Sequence, residues 1–198
     1  MISLLLIGTA LADTQPTGLD GLSPFELRPR PAVVSDVMVG LGGASSLGLG
    51  AALTVQDRDW RIGAGTVSAM AVTASITELT KQLGWQRRRP YTWDTNQTSF
   101  QADGYCPRPP SAYDCKSFFS GHTSMAAVSA FSAVEALRSS GQLQSHVGFA
   151  YGAAALYTVG VGSLRVAAGK HYISDVATGA LVGAAVGILV PRLVYRFH

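Results

Sequence analysis

Five stretches, at about 33–55, 62–80, 121–138, 147–163 and 174–191, are apolar, poor in charge and rich in Ala, Gly and Val. No other feature constrains the fold as strongly. Each stretch is long enough for a helix, and none shows the sustained period-2 alternation of a half-buried strand. The expected fold is all-α, a bundle of about five long apolar helices. Small residues let helices approach closely, as they do in membrane bundles. Charged residues make only 14% of the 198-residue chain, against about 25% in an ordinary soluble domain. A bilayer span needs about 20 mostly apolar residues. The run from Val37 to Val55 is uncharged, as is that from Val147 to Leu164. The other stretches are shorter and lean on Gly, Ala, Ser and Thr. A membrane-embedded bundle is the expectation. A soluble Ala-packed bundle stays open, because fully buried helices are also apolar all round.

The length suits one helical domain over residues 33–198, preceded by a polar, Pro-rich lead-in at 13–32. Residues 1–12 read as a short signal peptide, with an apolar run from Ile2 to Ile7 and an A-x-A-like site at Ala10-Leu11-Ala12. The two cysteines, Cys106 and Cys115, close a short Pro-rich loop and fit a disulfide in an oxidising compartment. Two thiols without a nearby His make a zinc site a poor fit. The net charge of +3, with no basic run interleaved with aromatics, gives no support to nucleic-acid binding.

Threading five spans from an external Asp13 puts residues 81–119 and 164–173 outside. Arg192 and Arg196 then lie inside, as the positive-inside rule prefers. The basic run Gln86–Pro90 falls outside and breaks that rule. Three polar clusters now share one side of the bundle. The first holds Lys81, Arg87, Arg88 and Arg89, and Pro90 should end the preceding helix. The second is Ser120-Gly121-His122 before an apolar helix, where Ser120 can cap and exposed N–H groups can bind an anion. The third is Arg165, His171 and Asp175, in which the last two are i,i+4 neighbours if the segment is helical. Taken singly, these could be a solvated helix end, a plain cap with a surface histidine, and a satisfied polar pair. Taken together, four or more cations surround two imidazoles, which suits an anionic substrate such as a phosphate.

The order Lys…Arg-Pro, Ser-Gly-His and Arg-x5-His-x3-Asp resembles the type 2 phosphatidic acid phosphatase superfamily. That group also includes bacterial acid phosphatases and vanadium haloperoxidases. The resemblance covers roughly residues 60–190 and is most specific in "RVAAGKHYISD". There are three departures. Seven residues, not the usual six, separate Lys81 from Arg89, whereas Arg88 keeps the spacing but is not followed by Pro. Phe119 stands where the family has Pro. Leu164 stands where it has Ser.

The resemblance implies a two-step phosphoryl transfer with no metal or other cofactor. His171 is the implied nucleophile, Asp175 its orienting carboxylate, and His122 the general acid and then base. Lys81, Arg88 or Arg89, Arg165, the Ser120 hydroxyl and the Gly121 N–H are the implied phosphate ligands. The implied substrate is a phosphorylated lipid or a small phosphoester. The implied location is the cell envelope, in a bacterial inner membrane with the site facing the periplasm. The alternatives are a soluble periplasmic acid phosphatase of broad specificity, a vanadate-loaded haloperoxidase, and a non-enzymatic bundle that binds anionic lipids.

Overall fold

The computed structural model describes residues 16–83, 87–93 and 115–196. Residues 1–12, which the sequence suggests as a signal peptide, and Cys106 lie outside them. Five helices dominate: α1 Pro29–Asp57, α2 Trp60–Gln82, α3 Gly121–Ser139, α4 Val147–Ala167 and α5 Ile173–Arg196. Short 3-10 turns occupy Gly18–Leu22, Pro90–Trp93 and Gln144–His146. The fold is all-α, as the apolar stretches predict.

Local chemistry sets the helix ends. Asp59 caps α2 by accepting from the Arg61 N–H at 3.1 Å, and Ser120 caps α3 by accepting from the Thr123 N–H at 3.4 Å. Two ends differ from the sequence reading. Helix α1 starts at Pro29 rather than near residue 33, because first-turn N–H groups have no helical partner and a proline there loses nothing. Helix α5 runs through Pro191 to Arg196 instead of stopping near 191. Pro191 packs on α2, where a methyl group at Gly65 would come within 3.2 Å of its Cα.

Helix α3 is the centre of the bundle and packs against the other four. Helices α1, α2 and α5 and the Gln144–Ala167 segment containing α4 are long and apolar enough to cross a membrane. The sequence reading threaded α3 as a fifth such span, but its Ser124, Ser129, Ser132 and Glu135, all buried, make it more polar than its neighbours. Because the other helices surround it, those groups find partners inside the protein. Ser46 and Ser132 hydroxyls meet at 3.3 Å, and Thr77 and Ser124 at 3.2 Å. Small residues allow this closeness. Gly179, Gly183 and Gly187 recur every four positions along α5, and a methyl group at Gly183 would stand 2.2 Å from the Ser124 carbonyl.

The bundle is turned inside out relative to a soluble one. Val37, Leu41, Leu156, Leu181 and Leu189 are exposed, while Thr66, Thr73, Ser129, Ser132 and Thr158 are buried. Burial of apolar surface in water drives the opposite arrangement.

Candidate active site

The loops at one end of the bundle are held together by backbone pairing. The Arg87 N–H donates to the Cys115 carbonyl at 3.0 Å, and the Ser117 N–H donates to the Arg87 carbonyl at 3.0 Å. This short parallel bridge aligns the basic run beside the approach to α3. The Tyr91 N–H reaches the Gly169 carbonyl at 3.1 Å, and the Ser120 N–H reaches the Asp175 carbonyl at 3.1 Å. All three sequence clusters are thereby tied to one another. Gly169 turns with φ +69°, and a methyl group on it would strike the Glu26 carbonyl at 2.3 Å. The lead-in therefore lies directly on this loop.

Asp175 is completely buried. Its Oδ1 accepts from Arg87 Nη1 at 2.7 Å. Its Oδ2 accepts from the Ser117 hydroxyl at 2.5 Å and from the Tyr172 N–H at 3.0 Å. His171 Nδ1 stands 3.6 Å from Oδ2, beyond hydrogen-bond reach, and has no partner among the described residues. Its Nε2 lies 3.1 Å from Arg89 Nη1. Arginine can only donate, so Nε2 must accept. That assigns the ring proton to Nδ1, facing the carboxylate. Burial pushes the His171 pKa down to about 3, helped by the Arg89 charge and opposed by Asp175. The imidazole is neutral at pH 7, with its lone pair directed toward the cationic group.

The two candidate arginines separate clearly. Arg88 Nη2 donates to the Thr92 carbonyl at 2.7 Å, and its guanidinium lies 4.1 Å over the Trp93 ring. It braces the Pro90–Trp93 turn. Arg89 points the other way, anchored on the Lys170 carbonyl at 2.8 Å beside His171. Arg165 is buried, with Nη1 donating to Ser35 Oγ at 3.1 Å and to Asp36 Oδ1 at 2.8 Å. Its Nε has no partner among the described residues. His122 Nε2 approaches the same Asp36 oxygen at 2.9 Å. The charges of Arg89 and Arg165 act on both imidazoles. Lys81 joins them from the last turn of α2, with its Nζ 3.3 Å from where a methyl group on Gly121 would be.

Lys81, Arg89, Ser120, Gly121, His122, Arg165, His171 and Asp175 thus gather at one end of the bundle. Such a cluster can hold a tetrahedral phosphoryl group between a neutral imidazole and a second one. Asp20, Asp36, Arg87 and Ser117 were not singled out as site residues from sequence. Arg87 was legible as part of the basic run, though not as the partner of Asp175. Asp20 accepts from Arg87 Nη2 at 2.6 Å and from the Ser174 N–H at 2.9 Å. Against the opposing effect of burial, the Ser174 N–H, Arg87 and the Ser174 hydroxyl together hold Asp20 below the usual carboxylate range. Cys115 is buried and disulfide-bonded beside this end.

A family model described as the PAP2 superfamily matches residues 63–198. The chain belongs to the PAP2 superfamily. The match takes in α3, α4, α5 and nearly all of α2, and so every PAP2-like motif recognised in the sequence. Among solved structures, one titled "Crystal structure of the first transmembrane PAP2 type phosphatidylglycerolphosphate phosphatase from Bacillus subtilis" is similar, with a TM-score of 0.60 and 22% identity. That alignment covers 100% of this chain and 98% of the other. At that identity the likeness establishes a shared fold. A search of curated proteins gave no match. As a PAP2 protein the chain is a phosphatase by family.

Proposed function

We propose that this PAP2 phosphatase is embedded in the membrane and hydrolyses phosphomonoester or diphosphate head groups of lipids through a phospho-histidine. The observation that carries this reading is the neutral His171 imidazole, with Nε2 3.1 Å from Arg89 Nη1 and Asp175 behind it. His171 Nε2 attacks phosphorus, and the P–O bond to the leaving oxygen breaks, so that the lipid departs as an alkoxide from a monoester or as a lipid monophosphate from a diphosphate. His122, as the imidazolium, gives a proton to that leaving oxygen. Water then attacks the phospho-histidine, His122 takes its proton, and the N–P bond breaks to release phosphate and restore His171. Asp175 stabilises the positive charge on the imidazole while phosphorus is attached. Arg89, Arg165 and Lys81, with the Ser120 hydroxyl and the Gly121 N–H, hold the phosphoryl oxygens. These cations supply the charge stabilisation that phosphoryl transfer demands.

The exposed leucines and valines with buried hydroxyls favour the embedded form over a soluble periplasmic one. The disulfide at Cys115 favours an oxidising space on the site's side of the membrane, hence a periplasmic face. The test is phosphate release from phosphatidic acid, phosphatidylglycerol phosphate and polyprenyl diphosphates, without added metal, by detergent-solubilised protein. Release that disappears in His171→Ala is the expected result. Full activity in that variant removes the assigned nucleophile.

A further inference from the structure

Helix α1 lies outside the matched PAP2 residues 63–198, yet it reaches into the site. Between Arg30 and Asp57 its only charged residue is Asp36. A carboxylate alone in an apolar helix is costly near a bilayer, and such groups mark function more often than packing. Its environment gives it a task. One oxygen, Oδ1, meets both Arg165 Nη1 at 2.8 Å and His122 Nε2 at 2.9 Å. The preceding residue, Ser35, is fully buried and accepts from the same Arg165 Nη1 at 3.1 Å, while donating its own hydroxyl to the Ala32 carbonyl at 2.7 Å. Two consecutive residues of α1 therefore fix a buried arginine of α4 and a histidine of α3.

We propose that Asp36 is a positioning residue for phosphoryl transfer, clamping His122 Nε2 and Arg165 Nη1 to one carboxylate oxygen so that the proton donor stands oriented before substrate arrives. The proposal rests on the catalytic reading given above for His122. Among the described residues, the other charges that act most on His122 are cations: Arg165 from α4, Lys81 from α2, and Arg89 from the turn after it. Asp36 is the carboxylate that acts on His122 beside them. Its side chain is 54% exposed, so it can yield to an incoming phosphoryl oxygen without leaving a buried charge unpaired. Arg165 Nε, without a partner among the described residues, stays available to that oxygen.

Asp36→Asn tests this, because it keeps the shape and removes the charge. With an alkyl phosphate ester, kcat should fall about 10²-fold, the scale of a misplaced catalytic group, while KM changes little. With p-nitrophenyl phosphate, whose leaving group needs less protonation, the loss should be much smaller. Asp36→Glu should restore part of the kcat. Equal losses on both esters, without rescue by Glu, would mean a merely structural role and overturn the proposal. A lower KM with unchanged or higher kcat would also overturn it, by making Asp36 a plug that competes with phosphate. A second readout needs no turnover. In protein labelled with ¹⁵N-histidine, the His122 Nε2–H should give a slowly exchanging downfield proton, retained in His171→Ala and lost in Asp36→Asn. If wild-type protein releases no phosphate from any substrate, the proposed function fails, and this resonance still decides whether the clamp exists. Its presence in Asp36→Asn removes the clamp.

Discussion

The two ends of this bundle each bury a carboxylate among arginines, and they do opposite things with it. Glu135 on α3 lies about 21 Å along the helix from Gly121, at 1.5 Å per residue. Its Oε2 accepts from Arg138 Nε at 2.9 Å. Its Oε1 accepts from Arg192 Nε at 2.9 Å and from the Tyr151 hydroxyl. Arg192 Nη2 closes the ring by donating to Tyr151 at 3.0 Å. Both oxygens are used, on protein donors only. At the other end Asp175 is equally well held, but the groups around it are not. Arg165 Nε lacks a hydrogen-bond partner among the described residues, His171 Nδ1 stands 3.6 Å from the Asp175 carboxylate, and one carboxylate, Asp36, is shared by a histidine and an arginine. A closed ionic network fastens helices. A network with a spare donor and a neutral base can receive a ligand, since a buried polar group left unpaired carries a cost that a ligand can relieve.

This contrast predicts a sharp division between kinetic and stability effects. The largest expected effect is His171→Ala, which should abolish phosphate release while the melting temperature in detergent stays close to wild type. Loss of folding instead would place His171 with the structural end. His122→Ala should lower turnover of an alkyl phosphate about 10²–10⁴-fold, the usual size of general-acid help, and less with p-nitrophenyl phosphate. Arg89→Ala should cost about 10²–10³-fold in kcat, as loss of a charge-stabilising donor does. Arg88→Ala should act mainly through the Pro90–Trp93 turn, as a drop in melting temperature. Reversal of those two results would exchange their assignments.

At the far end the expected effect is smaller and of a different kind. Glu135→Ala should destabilise by about 1–3 kcal/mol, with the turnover of the folded protein preserved. The cost stays moderate because the side chains of Arg138 and Arg192 are 45% and 42% exposed and can turn to water. A kinetic defect at constant stability would break the division. The remaining expected effect concerns pH. The His171 pKa falls from 6.5 to about 3 on folding, so the unfolded chain binds the extra proton in between. Its stabilising contribution is full above about 6.5 and is lost as pH falls toward 3. Thermal melts of His171→Gln should lose less stability than wild type over that window. Identical slopes would show an imidazole not buried in its neutral form.

Much of the first end was legible in the chain itself. The order of the motifs named Lys81, Ser120, Gly121, His122, Arg165, His171 and Asp175 together, because each pattern lies within a few residues and repeats a local geometry. Asp36 and Asp20 gave no such signal. They are single acids in a helix and a lead-in, and their partners stand 129 and 67 residues away for Arg165 and Arg87. The spacing between Lys81 and the basic run left Arg88 and Arg89 equivalent. Glu135 and Arg192 were likewise unremarkable, since no sequence rule pairs residues 57 positions apart.

By itself the sequence determined five helices, the small residues that let them pack, and the family. Hydrophobic length and residue size act locally and can be read locally. Only the tertiary structure decided which arginine faces His171, that Arg87 serves Asp175, that α1 lends Asp36 to His122, and that α3 is a polar centre walled by four apolar helices. Ion pairs and hydrogen bonds fall off within a few ångströms, so their partners are set by how the helices meet in space.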